Sequence, residues 1–151
     1  MSSQLKQRIQ EDVTAAMRAK DKPRLSVLRL VTAAIKQVEV DSRTELDDQG
    51  VLTVLEKMLK QRRDSLTQFT DAGRTDLADQ ESYEITLIEN YMPEALPAEE
   101  LEALIDTAIS ETAAGSLRDM GKVMGLLKPR VQGRADLGAV SATVKQKLAG
   151  A

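Results

Sequence analysis

The chain has 151 residues, 42% of them hydrophobic, which suits one domain or two small subdomains with a sizeable aliphatic core but only three aromatic rings, Phe69, Tyr83 and Tyr91. It contains neither Cys nor His, so disulfides, thiolate nucleophiles and the commonest general base and metal ligand are excluded. The formal net charge is −3, no run nears the ~20 apolar residues of a membrane span, and the opening residues lack the apolar core of a secretory signal; a cytoplasmic protein with no membrane partner is expected.

Periodicity is helical along almost the whole chain. Leu5, Ile9, Val13, Ala16 and Met17 follow the stripe of an amphipathic helix. Lys20 to Pro23 breaks it, with Asp21 suited to cap the next helix and Pro23 to sit in its first turn. Leu25, Leu28, Val31, Ala34, Ile35 and Val38 mark that second helix, with Arg29 and Lys36 off its stripe. Residues 41–50 read as a polar loop. A long third helix turns Leu52, Leu55, Leu59, Leu66 and Phe69 inward and Lys57, Lys60, Arg62 and Arg63 outward, and Gly73 ends it. A fourth runs from about Thr75 to Tyr91.

Two prolines, Pro93 and Pro97, mark the clearest boundary. Beyond them Leu101, Leu104, Ile105, Ala108 and Ile109 form a fifth stripe. Ser116 can cap a sixth helix bearing Met120, Val123, Met124 and Leu127, which Pro129 is expected to stop. A loop at Gln132 to Arg134 follows, and Asp136 can cap a seventh helix with Leu137, Val140, Val144 and Leu148. No segment alternates with period two. The expectation is an all-α fold of two helical subdomains, four helices in 1–92 and three in 97–151, joined at a proline hinge.

Charge is partitioned along the chain. Residues 1–74 balance to +3, residues 75–114 carry 11 acids and no base, and residues 115–151 carry seven bases against two acids. Interspersed signs suffice for solubility, so this segregation calls for another reason. The acidic window either pairs with bases elsewhere in the fold or keeps anions away from the middle of the chain.

Glycine is the other anomaly of the tail. Inside a helix it costs about 1 kcal/mol relative to alanine. Gly121 and Gly125 lie four apart and share one face, where they bare the backbone to close approach. Either a neighbouring helix packs there, the commoner cause, or a phosphate backbone is drawn in by Lys122, Lys128, Arg130, Arg134 and Lys145 around the Gly133 loop. Arg29, Lys36, Lys60, Arg62 and Arg74 form a second basic patch. With no aromatic residue in the tail, a nucleic acid would be read by backbone and shape, which favours folded RNA over a single strand. Catalytic equipment, metal ligands and cofactor motifs are not found; Glu81 and Glu84 read as solvated.

The runs LRLVTAAIKQVEV (28–40), LEKMLKQRRDSLTQFTDAGRTDLADQE (55–81), IENYMPEALPAEELEALI (88–105) and DMGKVMGLLKPRVQGRADLGAVSATVKQKL (119–148) resemble the GatB/YqeY family in its short stand-alone form. Pro97 departs from the helix-capping Ser or Thr frequent there. The resemblance implies a wholly helical fold in two parts. It also implies kinship with the tail of the B subunit of the glutamine-dependent aminoacyl-tRNA amidotransferase, a module that contacts tRNA and is not the seat of chemistry. The family label of carbon–nitrogen ligase activity with glutamine as amido-N-donor is therefore read as association with a pathway of translation. The implied partners are tRNA, with an aminoacyl-tRNA synthetase or amidotransferase subunits beside it, and no DNA. A second reading is a helical adaptor that docks a basic partner through the acidic 75–111 face.

Overall fold

The computed structural model describes residues 3–150; the outermost residues of both expected subdomains, 1, 2 and 151, lie outside them. Among the described residues there are seven α-helices and no strand, so the all-α expectation holds. The chain divides into two compact units, 1–92 and 93–151, each with its own hydrophobic core.

The first unit holds α1 (Gln4–Arg18), α2 (Lys22–Ser42), α3 (Asp48–Asp71) and α4 (Thr75–Glu89). Local chemistry sets their ends. The Ser3 side chain accepts from Lys6 N at the start of α1, and Asp21 accepts from Arg24 N at the start of α2, where Pro23 lies in the first turn. Asp47 caps α3 by accepting from Gly50 N. Asp48 ties α3 to α1: its carboxylate accepts from the Ser3 hydroxyl and from Leu5 N, and these bonds hold it below the usual carboxylate range.

The core of this unit joins Ile9 and Ala16 of α1, Val27, Leu28, Val31 and Ile35 of α2, Val51 to Leu59 on the inner face of α3, and Ile88 with Tyr91. Each large apolar side chain so buried contributes roughly 1.5–3 kcal/mol. Two stripe positions depart from expectation. Met17 and Val38 are 52% and 40% exposed, because each sits at the margin of its helix's apolar arc. The polar loop is also shorter than 41–50: α2 runs on to Ser42, Arg43 adopts a left-handed conformation, and α3 starts at Asp48.

Gly73 ends α3 as expected. It sits at φ +71°, its N–H donates to Thr70 O, and Arg74 N donates to Phe69 O, the paired closure of a Schellman motif. A Cβ there would touch nothing, so the cost of substitution is conformational alone. Gly73→Ala is expected to destabilise the first unit by about 1 kcal/mol, measured by urea unfolding followed through tyrosine fluorescence. Both tyrosines lie in this unit, which makes the signal specific to it.

The second unit holds α5 (Ala98–Glu111), a 3-10 turn (Leu117–Asp119), α6 (Met120–Val131) and α7 (Leu137–Ala149). Ile105, Ala108, Val123, Leu127, Val131, Val140, Val144 and Leu148 make its core. Pro97 caps α5 without a side-chain bond, and Glu99 and Glu100 in the first turn offset that lack through the helix dipole. Ser116 caps the 3-10 turn rather than α6 itself. Pro129 does not stop α6, which continues to Val131; its ring lies on the solvent face, where the lost N–H costs least. Among the described residues, no helix of either unit is long and apolar enough to cross a membrane.

Candidate functional site

The tail glycines occupy the solvent face of α6. A Cβ at Gly121 or Gly125 would meet no atom within 4 Å. Close packing of a neighbouring helix, the commoner reason for such glycines, therefore does not account for them. Val123, Leu127 and Val131 point the opposite way into the core, leaving Gly121, Gly125 and Pro129 as a bare strip at every fourth residue. Pro129 has no N–H to return to the Gly125 carbonyl, and its ring takes that place at the end of the strip.

Cations border it. Lys128 follows Gly121 by seven residues and returns to the same face, while Lys122 sits one residue round from it. Lys128 makes no ion pair or side-chain hydrogen bond among the described residues, and Lys122, 72% exposed, reaches only Asp119 at 4.0 Å. Arg118, in the turn leading into α6, is exposed with its guanidinium unpartnered among the described residues. Arg118 is not among the cations expected from the sequence, though its place three residues before Gly121 marks it there. Lys145 is exposed on α7.

The remaining tail cations serve the fold. Arg134 Nε donates to the Glu94 carbonyl at 3.0 Å and Leu96 N donates to Arg134 O at 2.9 Å, so the turn after α6 is stitched to residues 94–96. Gly133 enables that turn at φ +76°. Arg130 pairs with Glu111 at 3.2 Å in an exposed contact worth less than about 1 kcal/mol. Lys147 bridges Glu102 and Asp106 at 3.1 and 2.7 Å, which push its ammonium up from its ordinary value through hydrogen bonds, Asp106 first.

The second basic patch is not one surface. Arg62 faces inward, against expectation: its Nε lies 3.3 Å from Glu84 Oε1, its Nη1 donates to Met58 O, and Gln80 donates to the other Glu84 oxygen. Glu84 is buried, which corrects its reading as solvated. Glu81 beside it is half-buried, and desolvation together with the Glu84 charge pushes its carboxyl up. Arg74 pairs with Asp76 at 3.2 Å, and Lys60 is exposed on α3. Only Arg29 and Lys36 come together, on one wall of a cleft between α1 and α2.

The acidic window spends much of its charge internally. Asp76, Glu84, Glu89, Glu102, Asp106 and Glu111 all stand in ion pairs with bases from their own unit. The window also straddles the two units.

The chain matches the sequence profile of the family described as Yqey-like protein over residues 6–148. Among known proteins it is similar to the fungal proteins named altered inheritance of mitochondria protein 41, mitochondrial. Identity is 39% over 107 residues with that of Eremothecium gossypii, covering 68% of this chain and 58% of the relative. It is 36% over 124 residues with that of Kluyveromyces lactis, covering 76% and 66%. It is 29% over 130 residues with that of Pyrenophora tritici-repentis, covering 85% and 71%. The chain thus spans less than two thirds of the length of two of these three relatives. Their names place them in mitochondria, which overturns the expectation of a cytoplasmic location. That expectation leaned on the missing apolar core of a secretory signal, a feature that mitochondrial transit peptides lack as well.

Proposed function

The chain belongs to the YqeY-like family, and from that premise we propose that it is a non-catalytic tRNA-binding accessory module related to the glutamine-dependent aminoacyl-tRNA amidotransferase. The contact surface is the outer face of α6, with Arg118, Lys122 and Lys128 on tRNA phosphates. The observation that carries this reading is the solvent exposure of Gly121 and Gly125 between those cations. A polypeptide backbone stripped of side chains lets a sugar–phosphate surface approach closely. Lys145 and Arg130 extend the positive field; the weak Arg130–Glu111 pair can exchange for a phosphate. Arg134 and Gly133 shape the turn that holds the helix in place. A synthetase or amidotransferase subunit would then meet this module on the same tRNA.

The test is tRNA binding followed by fluorescence anisotropy across a salt series. Lys122→Gln with Lys128→Gln is expected to flatten the slope of log K against log salt by about 1.5–2. Gly125→Ala separates function from stability: it should raise the melting stability of the tail by about 1 kcal/mol, since nothing packs on that face. Gly125→Glu should remove tRNA binding while the helical signal stays. Absence of binding at low salt, or full binding by Gly125→Glu, refutes the reading.

A further inference from the structure

The cleft between α1 and α2 in the first unit has a volume of about 440 Å³, within the ~300–1,000 Å³ range of small-molecule sites. Its chemistry is two-faced. Ile9 and Ile35 close its floor as part of the core, Ala33 and the aliphatic stems of the long side chains give it an apolar lining, and the positive charge comes from Lys6, Arg29 and Lys36.

These three cations are not equivalent. Lys6 Nζ donates to both oxygens of Glu39, at 2.9 and 2.8 Å, and Leu46 N donates to Glu39 Oε2 at 2.9 Å. Those bonds hold the Glu39 carboxyl below its ordinary range, with Lys6 the main cause. The Lys6–Glu39 pair is therefore neutral as a whole and fixed within the cleft. Arg29 and Lys36 differ: neither side chain makes an ion pair or hydrogen bond among the described residues, and Lys36 only feels the Glu39 charge at longer range. They stand seven residues apart on one face of α2, about 10 Å along the axis. Their flexible stems can bring a guanidinium and an ammonium onto one anion. The cleft thus carries a net charge of +2 beside an apolar lining.

We propose that this cleft is a binding site for a small phosphate monoester with an apolar body, Arg29 and Lys36 taking the phosphate and Ala33, with the aliphatic stems of the lining side chains, the body. A dianionic phosphate matches the two unpaired cations, and a carboxylate would match only one. An RNA backbone offers phosphates but no apolar group for the lining. The other cations grouped with Arg29 and Lys36 in the sequence, Lys60, Arg62 and Arg74, take no part in lining the cleft. The site shares no residue with the outer face of α6 and stands or falls independently of it.

The experiment is isothermal titration of the full chain with 1-naphthyl phosphate, alongside 1-naphthoate, 1-naphthol and inorganic phosphate. Saturable one-to-one binding of the naphthyl phosphate is expected, at least about tenfold tighter than each of the other three. Arg29→Gln with Lys36→Gln should weaken it about tenfold or more and bring it level with 1-naphthol. Ala33→Leu, which fills the cleft from an exposed helix position, should weaken naphthyl phosphate while leaving the helical signal and tyrosine fluorescence unchanged. Failure to saturate, equal binding of inorganic phosphate, indifference to the double substitution, or displacement of the naphthyl phosphate by tRNA would each overturn the proposal.

Discussion

Tyr91→Ala is expected to destabilise the first unit by about 3–4 kcal/mol, the largest loss from any single substitution considered for this chain. Tyr91 is 6% exposed and belongs to the core, although it stands just past the end of α4. Three interactions converge on it. Its ring packs among the buried residues of α1, α2 and α3, the Arg8 guanidinium lies over the ring at 4.9 Å, and its hydroxyl donates to Asp12 Oδ2 at 2.5 Å. Arg8 also donates to the Asn90 carbonyl, fastening the same stretch of chain to α1. Burial, and then the Asp12 carboxylate, push the phenol up from its ordinary value, so it stays protonated and a donor throughout the physiological range. Tyr91→Phe separates the contributions: it keeps the ring and the cation above it, and should cost only about 1–2 kcal/mol for the orphaned Asp12. Urea unfolding read by the remaining fluorophore, Tyr83, measures both variants. Equal losses for Ala and Phe would show that the hydroxyl, not the ring, does the holding.

Arg62→Ala should cost the same unit about 2–3 kcal/mol. Side chains of Arg62 and Glu84 are 15% and 11% exposed, so removing the cation strands a carboxylate with little water to replace it. Glu81 worsens the position, because its own charge then faces Glu84 without the screening of Arg62. The loss stays below that of a wholly dry pair because some solvent reaches both groups. A double variant, Arg62→Met with Glu84→Leu, should return to within about 1 kcal/mol of the parent, since an apolar pair of similar volume carries no desolvation cost. Tyrosine fluorescence again reports the unit concerned. A loss under about 0.5 kcal/mol in Arg62→Ala would mean that the pair is solvent-screened like an ordinary surface contact.

The helices were legible because their signals are local. Asp21, Gly73 and Asp136 act within one turn of the residues they cap or stop, and the apolar stripes at Ile9, Leu28, Leu55, Ile105, Val123 and Val144 reach the core as spaced. Where local rules misjudged, a neighbour had intervened. Arg62 looked like a surface cation on α3, yet it faces Glu84, 22 residues away on α4. Nothing in either segment's periodicity announces that partner. Arg134 looked free for phosphate, yet its guanidinium holds a carbonyl 40 residues earlier in the chain.

What the amino-acid order determined alone is the all-helical class, the turns and caps, and the concentration of glycine and positive charge in the tail, since each depends on spacing along one helix. Tertiary structure decided which polar groups are left over. It turned Gly121 and Gly125 toward solvent, consumed Arg62 and Arg134 in internal contacts, and left Arg29 and Lys36 unpaired on the wall of a cleft. The physical reason is that a charge is spent or spare according to which helix face lies opposite it, and that is settled only when the cores close.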